Sequence, residues 1–235
     1  MERIERNGRL PMLITILTWG SLWGIFEATV GYILHLIPLS IGWLVWYPVS
    51  CFFMFGLYRK TKRTEAIVLV GLLSACIKLF NLFLPGRIDR VLNPAVSIIF
   101  EAITMAAVFW MAKKYNKENK NTFLKKALII FCMNTTWRIL YAFYLLFFVP
   151  NWMREISVIK NTEEAFMFFV VYNIITTMLL FGAVLVGRFI FKPIDVIENK
   201  ITTFLSSKST KSALYIKTAV AVCLLFASIA LELLI

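Results

Sequence analysis

The sequence predicts an all-α fold: a polytopic bundle of transmembrane helices, with a six-helix core, a seventh span and a cytoplasmic N-terminus. Three observations predict it. The first is composition, at 60% apolar and 16% charged residues over 235 positions, where a soluble domain is about half apolar and about a quarter charged. The second is a mean hydropathy of +0.79, with the apolar residues gathered in runs long enough to cross about 30 Å of hydrocarbon, which takes roughly 20 residues. The third is the placement of basic residues, taken up below.

The expected spans run Met12–Leu36, Ile41–Tyr58, Ala66–Leu84, Val91–Ala112, Ala127–Val149, Phe166–Phe191 and Ala213–Ile235. The second is the weakest, because Pro48 interrupts it. The first follows arginines as a signal peptide would, but it is too long, carries Glu27 and has no suitable cleavage site. The last follows a polar stretch. In that stretch Ile194, Ile197, Ile201, Phe204 and Leu205 recur at helical spacing opposite Asp195, Glu198 and Lys200, so an amphipathic helix is expected on the inner membrane surface. The resulting division is a membrane core over 1–191, an amphipathic segment over 192–212 and a C-terminal span over 213–235.

Basic residues give the orientation. Eighteen lysines and arginines lie before span one and after spans two, four and six, while the opposite loops hold only Arg87, Arg90, Arg154 and Lys160. The N-terminus is expected in the cytoplasm and, after seven crossings, the C-terminus outside a plasma membrane. The net charge of +12 is then a topology signal, with lipid headgroups as neighbours, and nucleic acid is not an expected partner. No P-loop or GxGxxG is present, so the chain does not hydrolyse ATP alone. Cys51, Cys76, Cys132 and Cys223 lie in apolar runs without CxxC spacing, and His35 is the one histidine. No metal site and no cofactor are expected.

Ionisable residues inside spans are costly and mark candidate sites. Four stand well inside: Glu27, Lys78, Glu101 and Arg138. Two acids against two bases also fit two buried ion pairs that stitch helices together. Their depth, mid-bilayer or further out, suits an outward-opening pocket. Asn134, Arg138 and Tyr141 share one helical face at i, i+4 and i+7, Lys78 and Asn81 sit at i and i+3, and Asn173 and Thr177 at i and i+4. Arginine can hold a carboxylate in a bidentate grip. With Trp19, Trp23 and Trp137 nearby, these groups suit a small anion or zwitterion. Trp43, Trp46, Trp110 and Trp152 read as interface anchors. Asn93, before Pro94, reads as an N-cap of span four. In span one Gly20, Gly24, Ala28 and Gly31 form a small-residue ridge, which suits either a partner helix or packing inside the bundle.

The stretch from Trp19 to Gly31, the Asn93-Pro94-Ala95 turn with Glu101, and the short outer loops together resemble the substrate-binding S components of energy-coupling factor transporters, over residues 12–190. The resemblance implies a six-helix core that captures a vitamin-like solute from outside; the polar residues inside the spans, Glu27, Lys78, Asn81, Glu101, Asn134, Arg138, Tyr141 and Asn173, are then the expected substrate-binding set. It also implies Gly20, Gly24 and Ala28 as the docking face for a transmembrane coupling subunit that works with separate ATPases. The seventh span lies beyond the family pattern, the ridge is glycine where the family uses mainly alanine, and no N-terminal histidine is present for a transition metal. An enzyme is not expected, since no catalytic dyad or triad is visible; the alternatives are an enzyme using Glu27 and Glu101, or a ligand-free structural or regulatory membrane partner.

Overall fold

A computed structural model describes residues 9–36, 42–115 and 123–234. The expected cytoplasmic residues Arg3, Arg6, Lys117 and Lys120 lie outside them, as does the side chain of Trp43. The described residues are mostly helical, and none of them lies in a strand. The principal helices are α1 (Arg9–Leu36), α2 (Gly42–Thr61), α3 (Thr64–Leu79), α4 (Asp89–Tyr115), α5 (Phe123–Phe147), α6 (Thr162–Leu185), α7 (Gly187–Ser206) and α8 (Thr210–Leu234). Six of these, α1, α3, α4, α5, α6 and α8, are long and apolar enough to cross a membrane, so the chain is a multi-pass membrane protein built as an all-α bundle. The second expected span, α2, is helical for 20 residues around Pro48 but is not among the six.

Contacts fix the helix directions. Gly20 faces Leu73 and Gly24 faces Ile77, so α1 and α3 run parallel. Trp19 meets Phe53 and Gly56 while Phe26 meets Trp46, so α2 returns antiparallel between them. The turn from α2 to α3 is two residues long: Lys62 takes a left-handed φ of 55° and its N–H donates to the Tyr58 carbonyl at 2.8 Å, a helix C-terminal closure that reverses the chain at once. Gly71 lies against Ala102, with no space for a side chain between α3 and α4. Buried aromatic rings fill the centre, with Trp23 stacked on Phe53 at 5.9 Å and Tyr47 against Trp137 at 5.1 Å.

Most boundaries differ from expectation by a few residues, and three of the shifts bear on the structure. Helix α4 begins at Asp89, whose carboxylate is bridged by Arg87 at 2.8 and 3.0 Å. An acid in the first turn favours that start, so Asn93 and Pro94 lie one turn inside the helix and Asn93 is not its cap. That contact also raises the Arg87 guanidinium above its already high value. Helix α6 starts at Thr162, because the Asn161 side chain accepts from Glu164 N–H at 2.8 Å, and α6 contains a π-helical turn over Met167–Val171. The amphipathic helix α7 begins at Gly187, five residues before the expected segment. Its Phe191 stacks on Phe52 at 5.2 Å, and Asp195 and Glu198 pair with Arg59 and Lys60 at 2.9 and 2.8 Å.

Candidate functional site

The four charges singled out in the sequence do not line one open pocket. They occupy a buried row across the bundle, and a fifth charge joins them. Two surface grooves, one along Val196, Asn199, Lys200, Thr203 and Phe204 and one along Cys76, Leu79, Phe80, Leu82 and Phe83, lie elsewhere.

At one end of the row, Arg138 of α5 has no solvent exposure. Its Nε donates to Asn134 Oδ1 at 3.2 Å, one terminal nitrogen to the Phe168 carbonyl at 2.8 Å and the other to Thr176 Oγ1 at 3.1 Å. The rings of Trp137 and Phe168 flank it at 4.9 and 4.6 Å. The Phe168 carbonyl belongs to the π-helical turn, and such single-turn insertions are frequent at functional sites. Asn134 is the junction: its Oδ1 also accepts from Trp137 Nε1 at 3.0 Å, and its Nδ2 faces the Asn173 carbonyl and the hydroxyls of Thr176 and Thr177 at 2.9, 2.6 and 3.0 Å. The i, i+4, i+7 face thus holds as expected, with Asn134, Arg138 and Tyr141 all buried. Asn173 joins it through its carbonyl while its Nδ2 donates to Thr135 at 2.9 Å.

Arg138 has no carboxylate partner in an ion pair among the described residues. Glu101 of α4, 3% exposed, lies within electrostatic reach of Arg138, Glu27, Tyr47 and Cys51, beside the Ser50 hydroxyl. Its Oε2 accepts no hydrogen bond, and the Tyr47 hydroxyl, the Thr104 hydroxyl and Asn173 Oδ1 are buried and equally unpartnered among the described residues. Buried polar atoms are nearly always paired, so each such group calls for a reason.

Glu27 of α1 is 8% exposed and accepts a 3.3 Å bond from Trp23 Nε1. Beyond it Lys78 donates to both oxygens of Glu232 at 3.2 and 3.3 Å, and Asn81 donates to Glu232 Oε2. Lys78 and Asn81 are therefore engaged by α8. Glu232, 1% exposed, is the residue that reading the sequence missed. The available signal was an acid inside the seventh apolar run.

The small-residue ridge is covered as well. A Cβ on Gly24 would stand 3.0 Å from Ile77 and 3.3 Å from Ser228, and Ala28 is buried. Of the two expectations for Gly20, Gly24 and Ala28, packing inside the bundle is the one realised: α3 and α8 occupy the face assigned to a coupling subunit. Trp110 and Trp152 stand half exposed, as anchors would, while Trp46 packs edge-on against Phe26. No family model, curated protein or solved structure matches this chain.

Proposed function

We propose that this membrane protein binds a small organic solute at the centre of the bundle, between Glu101 and Tyr47 on one side and Arg138 and Asn173 on the other. The observation that carries the reading is the set of buried, unpartnered polar atoms there, Glu101 Oε2, Tyr47 Oη and Asn173 Oδ1, around an arginine without a carboxylate. A solute with a carboxylate and hydrogen-bonding groups meets those needs, since unsatisfied groups in a non-aqueous interior cost free energy that a ligand recovers. The aromatic walls suit a planar body. The packed centre corresponds to a closed state, and the π-helical turn of α6 is the element whose rearrangement opens it.

In this reading the chain crosses the membrane seven times, with α2 included, the N-terminus in the cytoplasm and the C-terminus outside. The parallel course of α1 and α3 supports counting α2, because the chain must return between them. The S-component resemblance supports capture from outside with separate coupling and ATPase subunits. Such a subunit would have to dock on a face other than Gly20, Gly24 and Ala28.

Native mass spectrometry of the purified protein tests the binding step. A bound small molecule is expected on the wild type, lost on Arg138→Gln and retained on Lys78→Gln. A ligand-free wild type extracted from cells in the mildest detergent, with no small molecule binding on addition, refutes the reading.

A further inference from the structure

Among the described residues the row holds three acids and two bases, because Glu232 joins Glu27, Lys78, Glu101 and Arg138. Written as fully ionised groups it carries one net negative charge. An unbalanced charge in a low-dielectric interior is far more costly than a balanced row, and such a group neutralises itself by taking a proton. We infer that the buried row is a proton-binding site that holds one proton on Glu101, beside the unpartnered hydroxyl of Tyr47.

Geometry selects the acid. Glu232 has an ammonium at 3.2 Å and an amide donor. Glu27 has an indole N–H and lies within electrostatic reach of Lys78. Glu101 has neither an ammonium nor an indole donor: the Ser50 hydroxyl is the donor beside it, and its Oε2 is fully buried and accepts no hydrogen bond among the described residues. Its ionised form is the least stabilised of the three, since a carboxylate depends on donors in the absence of water. Once protonated it becomes a donor, and hydroxyls stand near to accept: Tyr47 from α2, and Thr104 one turn along the same face of α4. The titratable and charged groups facing Glu101 are Tyr47 and Cys51 of α2, Glu27 of α1, and Arg138 and Tyr141 of α5, with Lys78 of α3 and Glu232 of α8 behind Glu27. Uptake adds a proton to a carboxylate oxygen and breaks no other bond. Intramembrane carboxylates serve as stations in proton relays, and this row spans the bundle from α8 to α5. The inference rests on the charge count of the chain's own groups and applies to the protein stripped of any bound solute, the form in which it is tested.

Infrared difference spectroscopy of the full chain in lipid discs tests it, reading the carbonyl stretch of a protonated carboxylic acid at neutral pH. The wild type is expected to show one such group, and an upward pH jump to release one proton per chain. Glu101→Gln, nearly isosteric, balances the row and should abolish the band. Glu27→Gln should abolish it too, since the remaining charges then cancel. Arg138→Gln unbalances the row further and should double the band. Asp195→Asn, on the surface helix α7, should leave it unchanged. A wild type with no protonated acid at neutral pH, or a band that survives Glu101→Gln, overturns the inference. So does a band that disappears on adding sodium or potassium at constant pH, which would make a metal cation the occupant.

Discussion

Asn134 makes more of its single amide than any other residue in the bundle's polar centre. Its oxygen serves Trp137 and Arg138, and its nitrogen serves the carbonyl of Asn173 and the hydroxyl of Thr176. Replacing it with leucine keeps the volume roughly but strands the donors of Trp137 and Arg138, and a buried unsatisfied group costs about 1–3 kcal/mol. Asn134→Leu should therefore lower the thermal unfolding midpoint in detergent clearly, while Asn199→Leu on the exposed side of α7 should not. An unchanged midpoint for Asn134→Leu would mean that the network adds nothing to stability. The face that carries this residue was legible in the sequence, because Asn134, Arg138 and Tyr141 repeat at helical spacing. The partner of Lys78 was not: Glu232 lies 154 residues away, and a helical repeat says nothing about which distant helix will pack alongside. That omission made the buried charges look balanced.

At the scale of elements, apolar run length located the long hydrophobic helices and helical spacing located α7, and local chemistry moved the ends. Asp89 starts α4 early, Asn161 starts α6 early, and the left-handed Lys62 closes α2. The π-helical turn in α6 leaves no trace in hydropathy, since Met167–Val171 is apolar throughout. Helix α7 shows how an amphipathic segment is held. Its two ion pairs are substantially exposed, with side chains between 28% and 46% accessible, and exposed pairs contribute about 0–1 kcal/mol each. Phe191 is 7% exposed and stacks on Phe52, and burying a ring of that size contributes about 1.5–3 kcal/mol. The ring should dominate the docking. A spin label at Thr203 should gain mobility on Phe191→Ala and change little on Asp195→Asn. Equal mobility in both variants would place the anchor elsewhere, on the apolar face of Ile197, Ile201 and Phe204 in contact with lipid.

For the whole molecule, helix direction and charge placement converge. With α1 and α3 parallel and α2 reversed, the N-terminus of α1, the turn at Lys62, the start of α5 and the start of α8 fall at one end of the bundle, and that end collects the basic residues. Glu232 meets Lys78 near the C-terminal ends of α8 and α3, so α8 runs parallel to α3 and finishes at the opposite end. Positive loops favour the cytoplasm, and the Ser207 and Ile156 turns should therefore face opposite sides of the membrane. A background with the four cysteines replaced allows a direct check: all four are free thiols, Cys51 buried and Cys76, Cys132 and Cys223 exposed. In intact cells a membrane-impermeant thiol reagent should label Ile156→Cys and spare Ser207→Cys until the membrane is permeabilised. The reverse pattern inverts the proposed orientation, which would turn the Lys78–Glu232 clasp toward the cytoplasm. Labelling of both positions from one side would mean that α6 does not cross, and the antiparallel contacts of Arg138 with Phe168 and of Asn134 with Thr176 could not then form across the bilayer centre.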